Sequence, residues 1–256
     1  MIEIGINPVA FLNVRWYGIL VALAIAVIVL WMLREVKRGA NISHETILTA
    51  ALVGIPSGIV ISRLLHVIDR WDYYSQNLGQ IIGAGGLTIY GAVLGAALAV
   101  WIYSKFGNFQ FGYFTDLVAP GIILAQAIGR VGCTINGCCY GIETSLPWAI
   151  VYTHPESIGL GAGVVHPTQV YEIIALLIIF GILLKLRGRL KPDGSLFLIY
   201  LGLYSLWRVG IDFLRDGTPF LLGLHQAQVI AIIVLAITVP LLAYRARWVK
   251  AGGNAE

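Results

Sequence analysis

The segment GRVGCTINGCCYG, residues 129–141, gathers into thirteen positions an arginine, an asparagine, four glycines and all three cysteines of the chain. Each residue type brings a chemistry. The guanidinium of Arg130 is a planar fork that binds phosphate through two parallel hydrogen bonds. A cysteine thiolate is a nucleophile and a metal ligand. Glycines admit tight turns in which backbone N–H groups approach an anion, here beside Arg130. The three thiols leave several readings open. Cys133 pairs with Cys138 or Cys139 in a disulfide that staples the loop; one thiolate acts as a nucleophile or lipid acceptor; the thiols bind a metal with His154 or His166; or all three are small buried side chains. The spacing has no CxxC knuckle, so no metal is expected.

Other ionisable residues stand close to apolar stretches: His66, His166, Glu172, Asp212 and the arginines 15, 63, 70, 208 and 215. An ionised group in hydrocarbon is costly, so such residues line a polar cavity rather than face lipid. The elements that carry them follow from composition. The chain has 256 residues, 58% hydrophobic and 12% charged, with a mean hydropathy of +0.83. A soluble domain carries about a quarter of charged residues. Uncharged apolar stretches near the roughly 20 residues that cross a bilayer occur at 16–33, 46–65, 81–104, 112–130, 166–186, 194–214 and 224–244. The expected fold class is therefore all-α, a polytopic membrane bundle of about seven helices forming one integral membrane domain over residues 1–256. The N-terminal segment lacks a basic region, an apolar core and a cleavage site in that order, so the first helix is expected to stay.

Basic residues collect on the cytoplasmic side of membrane proteins. With the N-terminus extracytoplasmic and the C-terminus cytoplasmic, every lysine falls inside, and the net charge of +4 needs no nucleic acid partner. Arg15, Arg63, Arg70, Arg130, Arg208 and Arg215 remain. Five of them are expected at or just beyond the outer ends of helices and Arg70 in the outer loop between the second and third, with His66, His166, Glu172 and Asp212 at the same level. Six arginines without a lysine fit an anionic headgroup of the outer leaflet. For any one of them the plainer alternative is snorkelling, or for Arg208 a pair with Asp212 one turn on.

GRVGCTINGCCYG resembles the signature of the prolipoprotein diacylglyceryl transferases, approximately G-R-x-G-N-F-x-N-x-E-x-x-G. RWYG at 15–18, GGLTIYGAVLG at 85–95, DLVAP at 116–120, HPTQVYE at 166–172 and RVGIDFLRDG at 208–217 stand in that family's order, so the resemblance spans nearly the whole chain. It implies transfer of a diacylglyceryl group from phosphatidylglycerol or a related phospholipid to the lipobox cysteine in a prolipoprotein signal peptide. A thioether forms and glycerol phosphate leaves, with no cofactor, in the bacterial cytoplasmic (inner) membrane. Carried over position by position, it implies catalytic roles for Arg130, Arg215, Tyr90, His166 and Glu172. It implies substrate contacts from Tyr17, Gly86, Gly91, Gly132, Asn136, Gly141 and Arg208. Tyr17 also reads as an interfacial aromatic anchor, and His166 as a hydrogen-bonded structural imidazole.

Three positions depart from the family pattern. Tyr90 stands where the family usually has a histidine suited to accept the thiol proton, and tyrosine with a reference pKa near ~10 is a weak base at neutral pH. Cys133 and Cys138 replace the usual asparagine and glutamate of the signature. The chain thus resembles a divergent branch with a GCxxNGCCYG core. A paralogue with another acceptor, and a lipid-binding or lipid-flipping protein that kept the cavity, are the alternative functions.

Overall fold

The computed structural model describes residues 1–81, 89–217 and 219–249, without the side chains of Asp69, Ile89 and Tyr90. Its helices are α1 (Trp16–Lys37), α2 (His44–Asp69), a single turn α3 (Trp71–Tyr74), α4 (Ile89–Phe106), α5 (Phe111–Asn136), α6 (Thr168–Leu186), α7 (Ser195–Ile211) and α8 (Gln226–Arg245). Six of these, all but α3 and α4, are long and apolar enough to cross a membrane. In hydrocarbon every backbone N–H and C=O must bond within its own segment, and a helix satisfies this requirement. The expected span at 81–104 lies partly outside the described residues, and α4 supplies its second part. Gly86 also lies outside the described residues.

Two compact units divide the chain. One holds Met32–Phe114, the other Met1–Trp31 with Thr115–Glu256. In the Met32–Phe114 unit α2 and α4 pack through small residues, which let helix backbones approach closely where no hydrophobic effect drives association. Gly91 touches Ser62, so that a Cβ at position 91 would run into the α2 backbone. It is a point of close approach between α2 and α4. Arg63 and His66 are engaged near the end of α2. The Arg63 guanidinium donates to the carbonyls of Ile81 at 2.8 Å and Gln80 at 2.6 Å, and lies over the Tyr74 ring, which also meets His66 edge-on.

The core of the larger unit forms where Ala119, Ile123 and Ala127 of α5 meet Leu176, Ile179 and Leu183 of α6 and Leu196 and Tyr200 of α7. The register of α7 is set at its first turn. Asp116 of α5 accepts hydrogen bonds from the backbone N–H groups of Gly194 and Phe197, both at 2.8 Å. A carboxylate there satisfies donors that the helix leaves orphaned and complements the positive end of its dipole. Arg208, thirteen residues beyond Ser195, is thereby placed near the opposite end of α7.

The segment between α5 and α6 adds structure that the apolar pattern does not announce. Strand β1 (Ile2–Ile4) pairs in parallel with Ile150–Tyr152, and Ile150, Tyr152 and Val165 form a small core with Ile4, Tyr140 and Ala162. A short hairpin, Val9–Phe11 with Val14–Arg15, leads directly into α1. The stretch between α5 and α6 thus carries a small core that the N-terminal strand helps to build. Three-residue strands suffice because the N-terminus supplies the pairing partner.

Candidate active site

Glu172, the fourth residue after the sharp entry at Thr168, faces inward on the first turns of α6. Its side chain is 2% exposed. A carboxylate so buried is stable only when paired and hydrogen-bonded. Glu172 Oε1 lies 2.8 Å from Arg130 Nη2 of α5 and accepts from the Tyr204 hydroxyl of α7 at 3.4 Å. Its Oε2 lies 3.8 Å from both Arg208 Nη1 and Arg215 Nη1.

A second carboxylate completes the cluster. Asp212 Oδ1 lies 2.8 Å from Arg208 Nη2 and 3.8 Å from Arg215 Nε. Tyr204, Arg208 and Asp212 follow one another at four-residue intervals, one face of a helix. The helix tightens after Ile211 into a 3-10 turn, Asp212–Leu214, and Arg215 follows it beside the cluster. Arg208 does pair with Asp212, but it faces Glu172 as well. The three guanidiniums outnumber the two carboxylates, so these five groups together hold a positive charge. Two buried polar atoms, Arg208 Nη1 and Asp212 Oδ2, have no hydrogen-bond partner among the described residues. Buried polar groups are ordinarily satisfied, so an unspent guanidinium donor beside surplus positive charge is suited to an anion.

The signature segment docks against this cluster by backbone. Gly141 N–H donates to His166 O at 2.9 Å and Ile142 N–H to Leu214 O at 2.9 Å. Gly141 bridges Arg215 in antiparallel fashion. A Cβ on Gly141 would meet the Leu214 carbonyl and stand 2.7 Å from His166 Cβ and 2.8 Å from Thr168 Cγ2. Only glycine permits that approach. The other glycines behave differently from the sequence expectation. Helix α5 continues to Asn136, so Gly129 and Gly132 lie inside it and their N–H groups belong to a helical ladder instead of a phosphate-cradling turn. Gly132 serves packing, since a Cβ there would be 3.3 Å from Tyr17 and 3.4 Å from Leu20 of α1. The turn begins at Gly137, where φ is +74°.

Asn136 ties three elements together. Its Oδ1 accepts from Arg15 Nη1 at 3.0 Å, its carbonyl accepts from Ile158 N–H at 3.2 Å, and its amide donates to Cys138 Sγ at 3.7 Å. Arg15 also reaches Glu156. The three cysteines are free thiols, with all three Sγ atoms within 4.8 Å of one another. Neither His154 nor His166 joins them within that distance. Arg130 Nη1 lies 3.9 Å from Cys133 Sγ, which links the thiols to the arginine cluster. The loop is held down by α6: Gln169 donates to Cys138 O and Thr168 to Cys139 O, both at 2.7 Å. Hydrogen bonds from Cys133 and Cys138, and then the guanidiniums of Arg215 and Arg130, hold the Cys139 thiol below its ordinary pKa. Burial pushes the Tyr152 phenol up.

The structure thus brings Arg130, Glu172, Arg208 and Arg215 together, with the backbones of Gly141 and His166 beside them. The His166 imidazole turns instead to the Tyr171 hydroxyl, 3.4 Å from its Nδ1, and Tyr171 accepts from Trp148 Nε1. Tyr90 lies in the first turn of α4, and its side chain lies outside the described residues. Tyr204, Gln169 and Thr168 are participants that residue-type reasoning missed. The four-residue spacing of Tyr204 to Arg208 and the three-residue spacing of Gln169 to Glu172 were the available signals.

Comparison with known proteins adds a lineage to this geometry. Residues 6–244 match the family model for prolipoprotein diacylglyceryl transferase. A protein of Dehalococcoides mccartyi named phosphatidylglycerol–prolipoprotein diacylglyceryl transferase is 51% identical over 251 residues, 96% of each chain. Proteins of the same name from Clostridioides difficile and Listeria innocua are similar too. The first is 39% identical over 87% of both chains; the second is 32% identical over 94% of this chain and 90% of its own. A multi-pass helical protein whose signature arginine is locked onto a buried glutamate, this chain belongs to the prolipoprotein diacylglyceryl transferase family.

Proposed function

We propose that this chain, acting as a single membrane domain, transfers a diacylglyceryl group from phosphatidylglycerol to the cysteine thiol of a prolipoprotein at the outer leaflet of the bacterial inner membrane. One observation carries the assignment of the site: three guanidiniums surround the buried Glu172 and Asp212, and Arg208 Nη1 is a buried donor with no hydrogen-bond partner among the described residues. A phospholipid phosphate matches both the charge and the donor.

In the reaction the acceptor sulfur attacks the glyceryl carbon, the carbon–oxygen bond to phosphate breaks, and glycerol phosphate departs with that electron pair. Charge grows on the phosphate as the bond breaks. Donors fixed where charge develops lower the barrier most, because they need no reorganisation at the moment of reaction. Arg130, pinned by Glu172, and Arg215, pinned by Asp212 and by the backbone bridge at Gly141, are such donors. Arg208 completes the phosphate contacts, and Tyr17, Asn136 and Gly141 shape the entrance. Glu172 positions the arginines and is not the thiol base.

The experiment is complementation of a strain depleted of its own transferase, scored by lipid modification of a reporter lipoprotein. The wild-type chain restores modification and Arg130→Ala does not. A wild-type chain that is present in the membrane and leaves the reporter unmodified overturns the assignment and favours a lipid-binding protein.

A further inference from the structure

The reaction proposed above needs a thiolate acceptor, the two carboxylates of the arginine cluster are both paired with guanidiniums, and Tyr90 stands at the family's usual histidine position. Three thiols stand beside Arg130 with no assigned task. We infer that Cys133, Cys138 and Cys139 form a three-sulfur site for one thiophilic divalent ion of the zinc class, with the acceptor thiol as its fourth ligand.

The geometry comes first. A tetrahedral zinc ion with metal–sulfur distances near 2.3 Å places its sulfurs about 3.8 Å apart. The three Sγ atoms already lie within 4.8 Å of one another, so closure onto an ion takes small side-chain rotations. Adjacent residues ordinarily project to different sides, and Cys138 and Cys139 converge because Cys139 adopts φ +65°. That conformation is uncommon outside glycine and asparagine. It is held by side chains of α6 on both carbonyls and by the Cys138 N–H bonded to Cys133 O at 3.1 Å.

Surrounding groups fit thiolates. Metal-bound ligands are usually oriented by outer hydrogen bonds, and here Asn136 donates to Cys138 Sγ and Arg130 to Cys133 Sγ. Three thiolates around a divalent ion carry one net negative charge, opposite in sign to the neighbouring arginine cluster. No histidine or carboxylate joins the three sulfurs among the described residues. Cys133 is buried, while Cys138 and Cys139 are half-buried. Three protein ligands with an open position are the pattern of catalytic zinc, whereas structural zinc is closed by four.

The fourth position gives the site its use. A thiol coordinated to such an ion loses its proton, here to water. The acceptor sulfur's electron pair then forms the bond to the glyceryl carbon while glycerol phosphate leaves toward Arg130. Nothing is oxidised or reduced.

The test uses the full chain, purified reduced in detergent and stripped with a chelator, then titrated with cobalt(II) as a spectroscopic probe. The expected result is one cobalt per chain, with sulfur-to-cobalt charge-transfer absorption that zinc displaces and that Cys133→Ser, Cys138→Ser and Cys139→Ser each weaken. Asn136→Ala lowers metal affinity by about 10- to 100-fold. A peptide bearing the lipobox cysteine shifts the visible cobalt bands, and its serine counterpart does not. Absence of the charge-transfer band, or a band indifferent to the cysteine peptide, overturns the inference. So does full transfer activity in the chelator-treated protein, a result that would leave the proposed function standing.

Discussion

Arg130 Nη2 and Glu172 Oε1 lie 2.8 Å apart, and the glutamate side chain is 2% exposed. The pair joins α5 to α6 beside Arg208 of α7 and Asp212 of the 3-10 turn that follows it. Removing one partner from a buried ion pair costs more than the pair contributes, since it leaves a charge buried and uncompensated. Glu172→Gln is therefore expected to destabilise the folded protein by roughly 3–5 kcal/mol, read from thermal unfolding in detergent, and to lower transfer activity. Unchanged stability would mean that the arginines find other partners.

Tyr204 tests the fine structure of the same cluster. Its hydroxyl donates to Glu172 at 3.4 Å, a long bond that supplements one closer charge, Arg130 at 2.8 Å, and two guanidiniums at 3.8 Å. Tyr204→Phe is expected to cost about 0.5–1.5 kcal/mol, and transfer activity should fall by no more than about tenfold, the rate equivalent of that energy.

Gly141 predicts a loss of activity without the loss of any charged group. A side chain at this position would push on the Leu214 carbonyl, His166 and Thr168, displacing Arg215, which Gly141 bridges. Gly141→Ala should reduce the transfer rate strongly while Arg130, Glu172 and Asp212 all remain. A variant with wild-type rate would show that the position of Arg215 is not critical.

Asp116 separates fold from chemistry. It caps α7 through two backbone N–H groups, and it sits at the other end of that helix from Arg208. Asp116→Ala is expected to lower stability by about 0.5–2 kcal/mol, measured by thermal unfolding, with transfer activity per folded molecule largely retained.

The thiols differ in exposure, and labelling should reveal it. In reduced, chelator-treated protein a maleimide is expected to modify Cys138 and Cys139 ahead of Cys133, which is 7% exposed. All three should react, because none is in a disulfide. A pair that reacts only after reduction would contradict the free-thiol arrangement.

Much of this was legible in the residues, for physical reasons. Apolar length alone locates membrane helices, since the bilayer forces every backbone group into internal bonds. The charges that interrupt those stretches, Arg130, Glu172, Arg208, Asp212 and Arg215, mark a polar site because hydrocarbon excludes them unless they pair. Which carboxylate holds which guanidinium was not legible, because it depends on the relative rotation of α5, α6 and α7. The fate of the glycines was misread at Gly129 and Gly132, where the requirement for a continuous helical ladder outweighs glycine's freedom to turn. The β1 pairing was hidden because three-residue strands carry too little alternation to detect and their partner lies at Ile150–Tyr152. The convergence of the thiols was hidden for a different reason. It depends on a positive φ at Cys139, a conformation that the identity of a cysteine does not signal.

The central claim is that Arg130, fixed by Glu172, stabilises the phosphate that leaves as the thioether forms. The direct measurement is transfer by the purified protein from phosphatidylglycerol to a lipobox peptide, with Arg130→Ala compared to wild type at saturating lipid. Loss of a fixed donor to developing charge is expected to lower kcat by about 10²- to 10³-fold, with the variant still folded by thermal unfolding. A folded Arg130→Ala protein that retains wild-type kcat would contradict the account.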